Sequence, residues 1–270
     1  MTDSGRHVDY DDIAGSYNCR FAADPQDQLA KAILTEALAQ QPGRILEVGC
    51  GTGRWLADLH GAGELLYGLD LSKGMLHQAR GRDRQLRLVQ GRAERLPFRD
   101  SSYNLVYCVN ALHHFGKPQE FIREAYRLLG TGCELAVIGM DPNDFAGERP
   151  DKGWYLYRYF EGALENDLAR FPARSTISAW MADAGFESCE TSCVYSIRAD
   201  RTGWSVFDDP FLKVDSTSQL ILLTRSAYEE GLNRMREALI EAENKGESLV
   251  FPVDICLYMT AGKVIGKKKE

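Results

Sequence analysis

Arg44-Ile45-Leu46-Glu47-Val48-Gly49-Cys50-Gly51-Thr52-Gly53 is the stretch on which the fold turns. Arg44 to Val48 is a short apolar run that ends in turn residues, the pattern of a buried strand. Glycines at alternate positions follow, and then a helical stretch. A strand, a glycine-rich turn and a helix present backbone N–H groups at the carboxyl edge of a sheet, where open α/β folds bind ligands. A nucleotide-like cofactor is therefore expected. A dinucleotide fingerprint needs glycine at its first, third and sixth positions, and counted from Gly49 the sixth is Arg54. The phosphate loop of ATPases is absent too, because no Gly-Lys-Ser/Thr follows at the required distance.

On both sides of this stretch the chain repeats strand and helix signals. Upstream, Leu29, Ile33, Ala37 and Leu38 recur at helical spacing until Gln41-Pro42-Gly43. Downstream, strands are expected at Leu65 to Leu69, Leu86 to Val89, Leu105 to Val109 and Cys133 to Ile138. The clearest helix between them begins near Pro118, with Phe121, Ile122, Ala125, Leu128 and Leu129 on one face, and Gly130-Thr131-Gly132 turns it into the fifth strand. Such alternation implies a parallel sheet. After Asp141-Pro142 it stops. Residues 142 to 175 are rich in aromatics and charge, including Trp154, Tyr155, Tyr157, Tyr159 and Phe160. A helix over Ile177 to Ala184, a strand over Phe186 to Ile197, a helix carrying Tyr228, Leu232, Met235 and Leu239, and a last strand around Asp254 to Thr260 follow.

The expected fold is thus α/β: a Rossmann-like, seven-stranded, mostly parallel sheet with helices on both faces and an α-helical cap insertion, residues 198 to 250, over the ligand edge. Residues 1–141 would hold the N-terminal helix and the cofactor-binding core. Residues 142–250 would hold the remaining core elements and the cap with the substrate region, and 251–270 the final strand and a basic tail.

Composition narrows the function. The chain has 270 residues, 44% of them hydrophobic and 26% charged, and no apolar run near the ~20 residues that span a bilayer. The first residues carry no apolar core behind a basic start, so a cytoplasmic location is expected. Seven scattered cysteines read as reduced thiols, and Cys189 with Cys193 lacks the partners of a zinc site. No metal is expected. A net charge of −7 opposes a broad nucleic-acid surface, and Lys267-Lys268-Lys269 reads as a solvated tail.

Glu47 and Asp70 specify the cofactor further. A carboxylate two residues before the turn repels a pyrophosphate and attracts an ammonium or sulfonium. S-adenosylmethionine carries both. Asp70 closes the second strand near the ~20-residue spacing at which an acid accepts hydrogen bonds from ribose hydroxyls. The plainer readings are a solvated Glu47 at a strand end and an Asp70 that, with Ser72, only starts a helix.

Glu47 to Gly53, Gly68-Leu69-Asp70-Leu71-Ser72 with Met75, Gly91-Arg92-Ala93-Glu94-Arg95-Leu96-Pro97-Phe98 and Asn110-Ala111-Leu112-His113-His114-Phe115 resemble the class I S-adenosylmethionine-dependent methyltransferases. The likeness is greatest to the small-molecule group that includes ubiquinone and menaquinone methyltransferases, and it spans residues 44 to 140. Tyr10-Asp11-Asp12-Ile13-Ala14 with Tyr17 and Arg20 is similar to the family's opening segment, which folds over the bound cofactor. The resemblance implies that Glu47, Gly49, Gly51 and Gly53 hold the methionyl end and Asp70 the ribose. It also implies Leu71, Asn110, Tyr17 and Arg20 as cofactor neighbours, with Ala93 and Glu94 on the adenine side. Arg92 departs from the pattern: the family has an acid there that accepts from the adenine amino group, and a guanidinium cannot accept. Arg92 is expected to point outward or to stack on the ring.

Methyl transfer from a sulfonium is an in-line displacement, so alignment in a dry pocket is the main requirement. His113 and His114 follow the fourth strand and are the candidates for guiding an acceptor proton, the plainer reading being a helix start with one His packed on the core. Asn110 is followed by Ala-Leu-His and not by the Pro-Pro-aromatic run that grips the amino group of adenine in DNA. A small-molecule acceptor in a lidded pocket is therefore expected, with no nucleic acid and no membrane as partner, in a monomer or homodimer. The Trp154 to Phe160 aromatics either line that pocket or form the core of a helical cap; Arg158, Arg174, Arg198 and Arg201 are either carboxylate clamps or solvated. An RNA or protein methyltransferase and a non-catalytic cofactor-binding module are the competing readings. An NAD-dependent oxidoreductase is opposed by Arg54 and Glu47.

Overall fold

The computed structural model describes residues 8–15, 17–18, 29–30, 32–33, 35, 43–60, 65–145 and 153–267. The chain divides into a larger unit of residues 25–141, 172–195 and 257–270 and a smaller one of 1–24, 142–171 and 196–256. Its strands are β1 (Arg44–Val48), β2 (Leu65–Asp70), β3 (Arg87–Gln90), β4 (Tyr103–Val109), β5 (Leu129–Gly139), β6 (Gly153–Trp154), β7 (Glu187–Arg198), β8 (Arg201–Thr202), β9 (Val250–Phe251) and β10 (Val253–Lys263).

In the larger unit the sheet runs β3-β2-β1-β4-β5-β10, and β7 also pairs with β10. Strands β1 to β5 pair in parallel, and β10 lies antiparallel to β5, with Tyr258 opposite Gly139 and Lys263 opposite Glu134. The mostly parallel, Rossmann-like sheet expected from the sequence is present. Its central strands are apolar on both sides, as strands covered on both faces must be. Leu46, Val48, Val106, Cys108, Leu135 and Val137 face one cluster with Phe121, Ile122, Ala125, Ile177 and Met181. Ile45, Leu105, Tyr107, Ala136 and Ile138 face another with Leu29, Ile33, Leu56 and Leu59. Helices therefore cover both faces. Leu29 and Ile33 are helical and buried as their spacing predicts, whereas Ala37 and Leu38 lie outside the described residues.

The helix Pro118–Leu128 starts on a proline at its first turn, where the missing N–H costs nothing, and buries Phe121, Ile122, Ala125 and Leu128. Arg127, near its end, donates to Glu124, Asp100 and the carbonyls of Leu96 and Phe98. The turn expected at Gly130-Thr131-Gly132 is instead absorbed into β5. Pairing with β4 begins at Leu129 opposite Tyr103 and resumes, after a register shift, at Glu134 opposite Leu105. Gly132 donates to the Val264 carbonyl there, so the extra residues keep their backbone partners. Lys267 is not solvated as the tail reading has it. Its Nζ donates to the carbonyls of Arg127 (2.9 Å) and Leu129 (2.5 Å) and lies over the Tyr126 ring. Lys268 and Lys269 lie outside the described residues.

The smaller unit is mainly helical: Leu156–Tyr159, Ala163–Arg170, Ser218–Ile221 and Arg225–Asn244, with β8 and β9 paired antiparallel. Within it, β6 pairs with Val253 and Asp254 at the start of β10. Asp167 is fully buried and takes hydrogen bonds from Tyr157, Gln219 and Arg170. Among the described residues no helix is long and apolar enough to cross a membrane.

Phe121 is among the largest fully buried side chains. Phe121→Ala is expected to lower unfolding free energy by about 3–5 kcal/mol, read from the denaturant midpoint at unchanged m-value.

Candidate cofactor and active site

Parallel strands bring their carboxyl ends to one edge of the sheet, and the predicted site residues of the larger unit leave from that edge: Gly49 after β1, Leu71 after β2, Ala93 after β3 and Asn110 after β4. The glycine loop is shaped by what accepts its N–H groups. The Leu69 carbonyl takes those of Gly49 (2.7 Å) and Cys50 (3.1 Å), and the Asp70 carboxylate takes that of Gly51 (2.8 Å). The other Asp70 oxygen accepts from the Ser72 N–H at 2.9 Å, while Ser72 Oγ caps the helix Lys73–Arg82 by accepting from Met75. Arg82, at the far end of that helix, donates to the Thr52 carbonyl. The loop is thus held on β2 from one side and braced from the other.

Gly49 and Gly51 both adopt the left-handed region, φ 72° and 52°. Their surroundings differ. A Cβ on Gly49 would stand 2.6 Å from the Ala111 Cβ, so the loop and the residue after Asn110 are packed backbone to side chain. A Cβ on Gly51 would meet nothing within 4 Å. Gly51 therefore leaves open space directly over the loop. Gly53 sits at the head of the short helix Arg54–Ala57.

Glu47 is not solvated; it is 1% exposed. Register sets it opposite Tyr107 on β4, whose hydroxyl donates to Glu47 Oε2 at 3.1 Å. Burial pushes the Glu47 carboxyl well above the ordinary carboxylate range, the Tyr107 hydroxyl pulls it back, and the Asp70 charge pushes it up again. Burial and the same two carboxylates push the Cys50 thiol up, so that cysteine stays protonated. Sequence reasoning missed Tyr107. The available signal was one phenol in the otherwise apolar run Leu105 to Val109, because a buried Tyr O–H needs a partner.

The remaining candidates separate clearly. Leu71 is 51% exposed beside Asp70, an apolar side chain left facing outward at the sheet edge. Ala93 is buried, and Glu94 accepts from the Lys117 N–H that opens the helix Pro118–Leu128. Arg92 pairs with Glu94 (3.4 Å) while its side chain stays 66% exposed, which is the outward orientation. Asn110 holds a strained φ of 48°, its N–H bonded to the Ile138 carbonyl. His113 and His114 form the turn Leu112–His114, half-buried, with ring centroids 3.9 Å apart. Tyr17 belongs to the smaller unit, where it meets Tyr10 edge-on; Arg20 lies outside the described residues. The Trp154 to Phe160 aromatics form the core of the smaller unit: Tyr155, Tyr159 and Phe160 are buried, and the Tyr155 hydroxyl donates to buried Asp209. The four candidate arginines are engaged within their own units, Arg158 over Tyr159, Arg174 with Asp141, Arg198 with Asp254 and Arg201 with Asp209.

Residues 46–137 match the family described as a methyltransferase domain. The chain is 25% identical over 193 residues to the demethylmenaquinone methyltransferase of Renibacterium salmoninarum, covering 66% of this chain and 81% of that one. It is 28% identical over 206 residues to the ubiquinone/menaquinone biosynthesis C-methyltransferase UbiE of a Ruegeria species, covering 65% and 80%. Among solved structures, the YcgJ protein of Bacillus subtilis superposes with a TM-score of 0.61 at 18% identity, over 89% of this chain and 100% of that one. With the glycine loop and the sheet, these matches support a methyltransferase domain over residues 46–137 and an S-adenosylmethionine-dependent methyltransferase similar to the class I quinone methyltransferases. The site fits the cofactor: the space over Gly51 admits a ligand against backbone, and the acids Glu47 and Asp70 beside the loop offer acceptors to a ligand that brings cationic donors.

Gly49→Ala and Gly51→Ala are expected to part company. Both carry the ~1–2 kcal/mol left-handed penalty of an L residue. Only Gly49→Ala also clashes, so it should lower Tm well beyond Gly51→Ala. Gly51→Ala should stay folded by circular dichroism and lose at least tenfold in S-adenosylmethionine affinity by calorimetry.

Proposed function

We propose that this methyltransferase acts on a small hydroxylated aromatic acceptor of the reduced quinone type, methylating ring carbon in a lidded pocket. The glycine loop fixed between Glu47 and Asp70 carries the reading, and the names of the relatives supply the acceptor class. Glu47 would meet the methionyl ammonium, Gly49, Gly51 and Gly53 the carboxylate and sulfonium side. Asp70 would accept from the ribose hydroxyls, with Leu71, Ala93 and Glu94 along the adenine. When bound, the cofactor supplies an electrophilic methyl group on a positively charged sulfur.

What the chain adds is alignment, exclusion of water and proton control. Loss of a hydroxyl proton makes the ring carbon beside it more nucleophilic, so a base near the acceptor accelerates the transfer. His113 and His114, paired at the end of β4, are proposed for that step. Asn110, held in its strained turn, would set where they stand. Tyr17 and Arg20 of the opening segment, with the cap expected over residues 198–250, would contribute the lid. The acidic balance of −7 favours this acceptor over an RNA.

Calorimetry and a turnover assay test the reading. The wild type should bind S-adenosylmethionine and its demethylated product but not NAD, and Asp70→Ala should weaken both at least tenfold. Incubation with demethylmenaquinol or a hydroxylated ubiquinol precursor should give the methylated ring and one equivalent of demethylated cofactor. Absence of turnover with every quinol offered, alongside intact cofactor binding, would remove the acceptor assignment and leave the cofactor site standing. His113→Ala or His114→Ala should lower kcat by about a hundredfold without changing cofactor affinity, the usual scale of a lost proton-transfer group. A loss under threefold in both would assign the chemistry to alignment alone.

A further inference from the structure

We propose that Tyr107 is a positioning residue for cofactor binding, acting through the hydrogen bond that its hydroxyl donates to the Glu47 carboxylate. The inference rests on the reading of Glu47 as the acid that meets the methionyl ammonium. Register places the two residues side by side on β1 and β4, the O–O separation is 3.1 Å, and both side chains are buried. A phenylalanine would fill the same volume in that apolar face. The hydroxyl has no packing purpose, so its value lies in what it does to the carboxylate.

A carboxylate out of water is costly unless donors satisfy it. Among the described residues, the groups that act on Glu47 are the following. From β4 come Tyr107 and Cys108, from β2 Asp70, from the glycine loop Cys50, and from the segment after it the Leu56 N–H and the Asp58 carboxylate. Asp70 and Asp58 oppose a charge on Glu47, while burial keeps both thiols protonated. Tyr107 and the Leu56 N–H favour the charge, and Tyr107 is the one side chain of the set that does. Burial and the adjacent carboxylate push the Tyr107 hydroxyl itself well above the usual phenol range, so it remains a donor at every working pH. The bond also fixes which carboxylate oxygen is occupied, and so how the other is aimed.

The sign follows. Without the donor, the neutral form of Glu47 gains, and affinity for a cationic ligand fails at higher pH. Cofactor affinity of the wild type, Tyr107→Phe, Glu47→Gln and the double variant is measured by calorimetry between about pH 5 and 7.5, below the range in which the ligand's own α-amine titrates. Wild-type affinity should fall as pH drops through a midpoint. Tyr107→Phe should move that midpoint up by roughly one pH unit, so that its affinity loss approaches about tenfold once the pH lies below both midpoints. In the Glu47→Gln background the same change should shift nothing. Circular dichroism and Tm check that the Phe variant folds, and a purely structural role would lower affinity equally at all pH. An unmoved midpoint in a folded Tyr107→Phe overturns the inference while Glu47→Gln still reports on the site. A pH-independent affinity in the wild type, with Glu47→Gln equal to it, overturns the Glu47 reading and this inference with it.

Discussion

Two adjacent groups at the end of β2, the Leu69 carbonyl and the Asp70 carboxylate, receive the N–H groups of Gly49, Cys50, Gly51 and Ser72. The Asp70 carbonyl takes that of Gly91 as well. Backbone donors at a sheet edge must find acceptors, and here one strand end supplies them to the loop before it, the helix after it and the loop beyond β3. The site is therefore built as one piece. Each Asp70 oxygen accepts one of these N–H groups, and a carboxylate oxygen has more than one acceptor site. The structural duty and the proposed ribose contact fall on the same carboxylate.

The second constraint is electrostatic. Glu47 and Asp70 place two carboxylates around a loop that carries the buried Cys50, and burial makes Glu47 harder to charge. A cationic ligand relieves that stress, because it lowers the cost of both charges at once. Two acids beside the loop therefore favour cations over anions, which is the physical content of the sequence rule separating this loop from a pyrophosphate loop.

Most of the frame could be read from sequence because it depends on local regularities: apolar strands, a glycine turn, a proline-started helix. The places of Glu47 and Asp70 could be read too, since their spacing from the turn is fixed by the βαβ unit. What escaped depends on pairing between distant strands. Tyr107 reaches Glu47 through a register across β1 and β4 that no local pattern encodes. The irregular start of β5 escaped for a related reason: Gly130-Thr131-Gly132 has turn chemistry, and only the Val264 carbonyl, supplied from far along the chain, turns it into part of a strand. The same holds for Lys267, whose charge suggested solvent and whose partners are carbonyls of Arg127 and Leu129. The aromatics of residues 154–160 were legible as a cluster, but whether they face a ligand or each other depended on Asp167 and Asp209, acids whose buried places sequence does not mark.

Strand β10 has a bearing on how the molecule is made. It occupies an interior position, paired with β5 along Tyr258 to Lys263 and with β7 besides, yet it comes after all the other described strands in chain order. During synthesis the glycine loop, β1, β2, β4 and β5 all emerge long before it. Through that interval β5 offers an open row of backbone groups on an apolar ribbon, the condition that invites pairing with a neighbouring chain. Closing the gap is a long-range event, slow by topology. A nascent chain of this fold thus carries its cofactor loop early and its vulnerability late, and early ligand capture would steady the half-built sheet while it waits for its final strand.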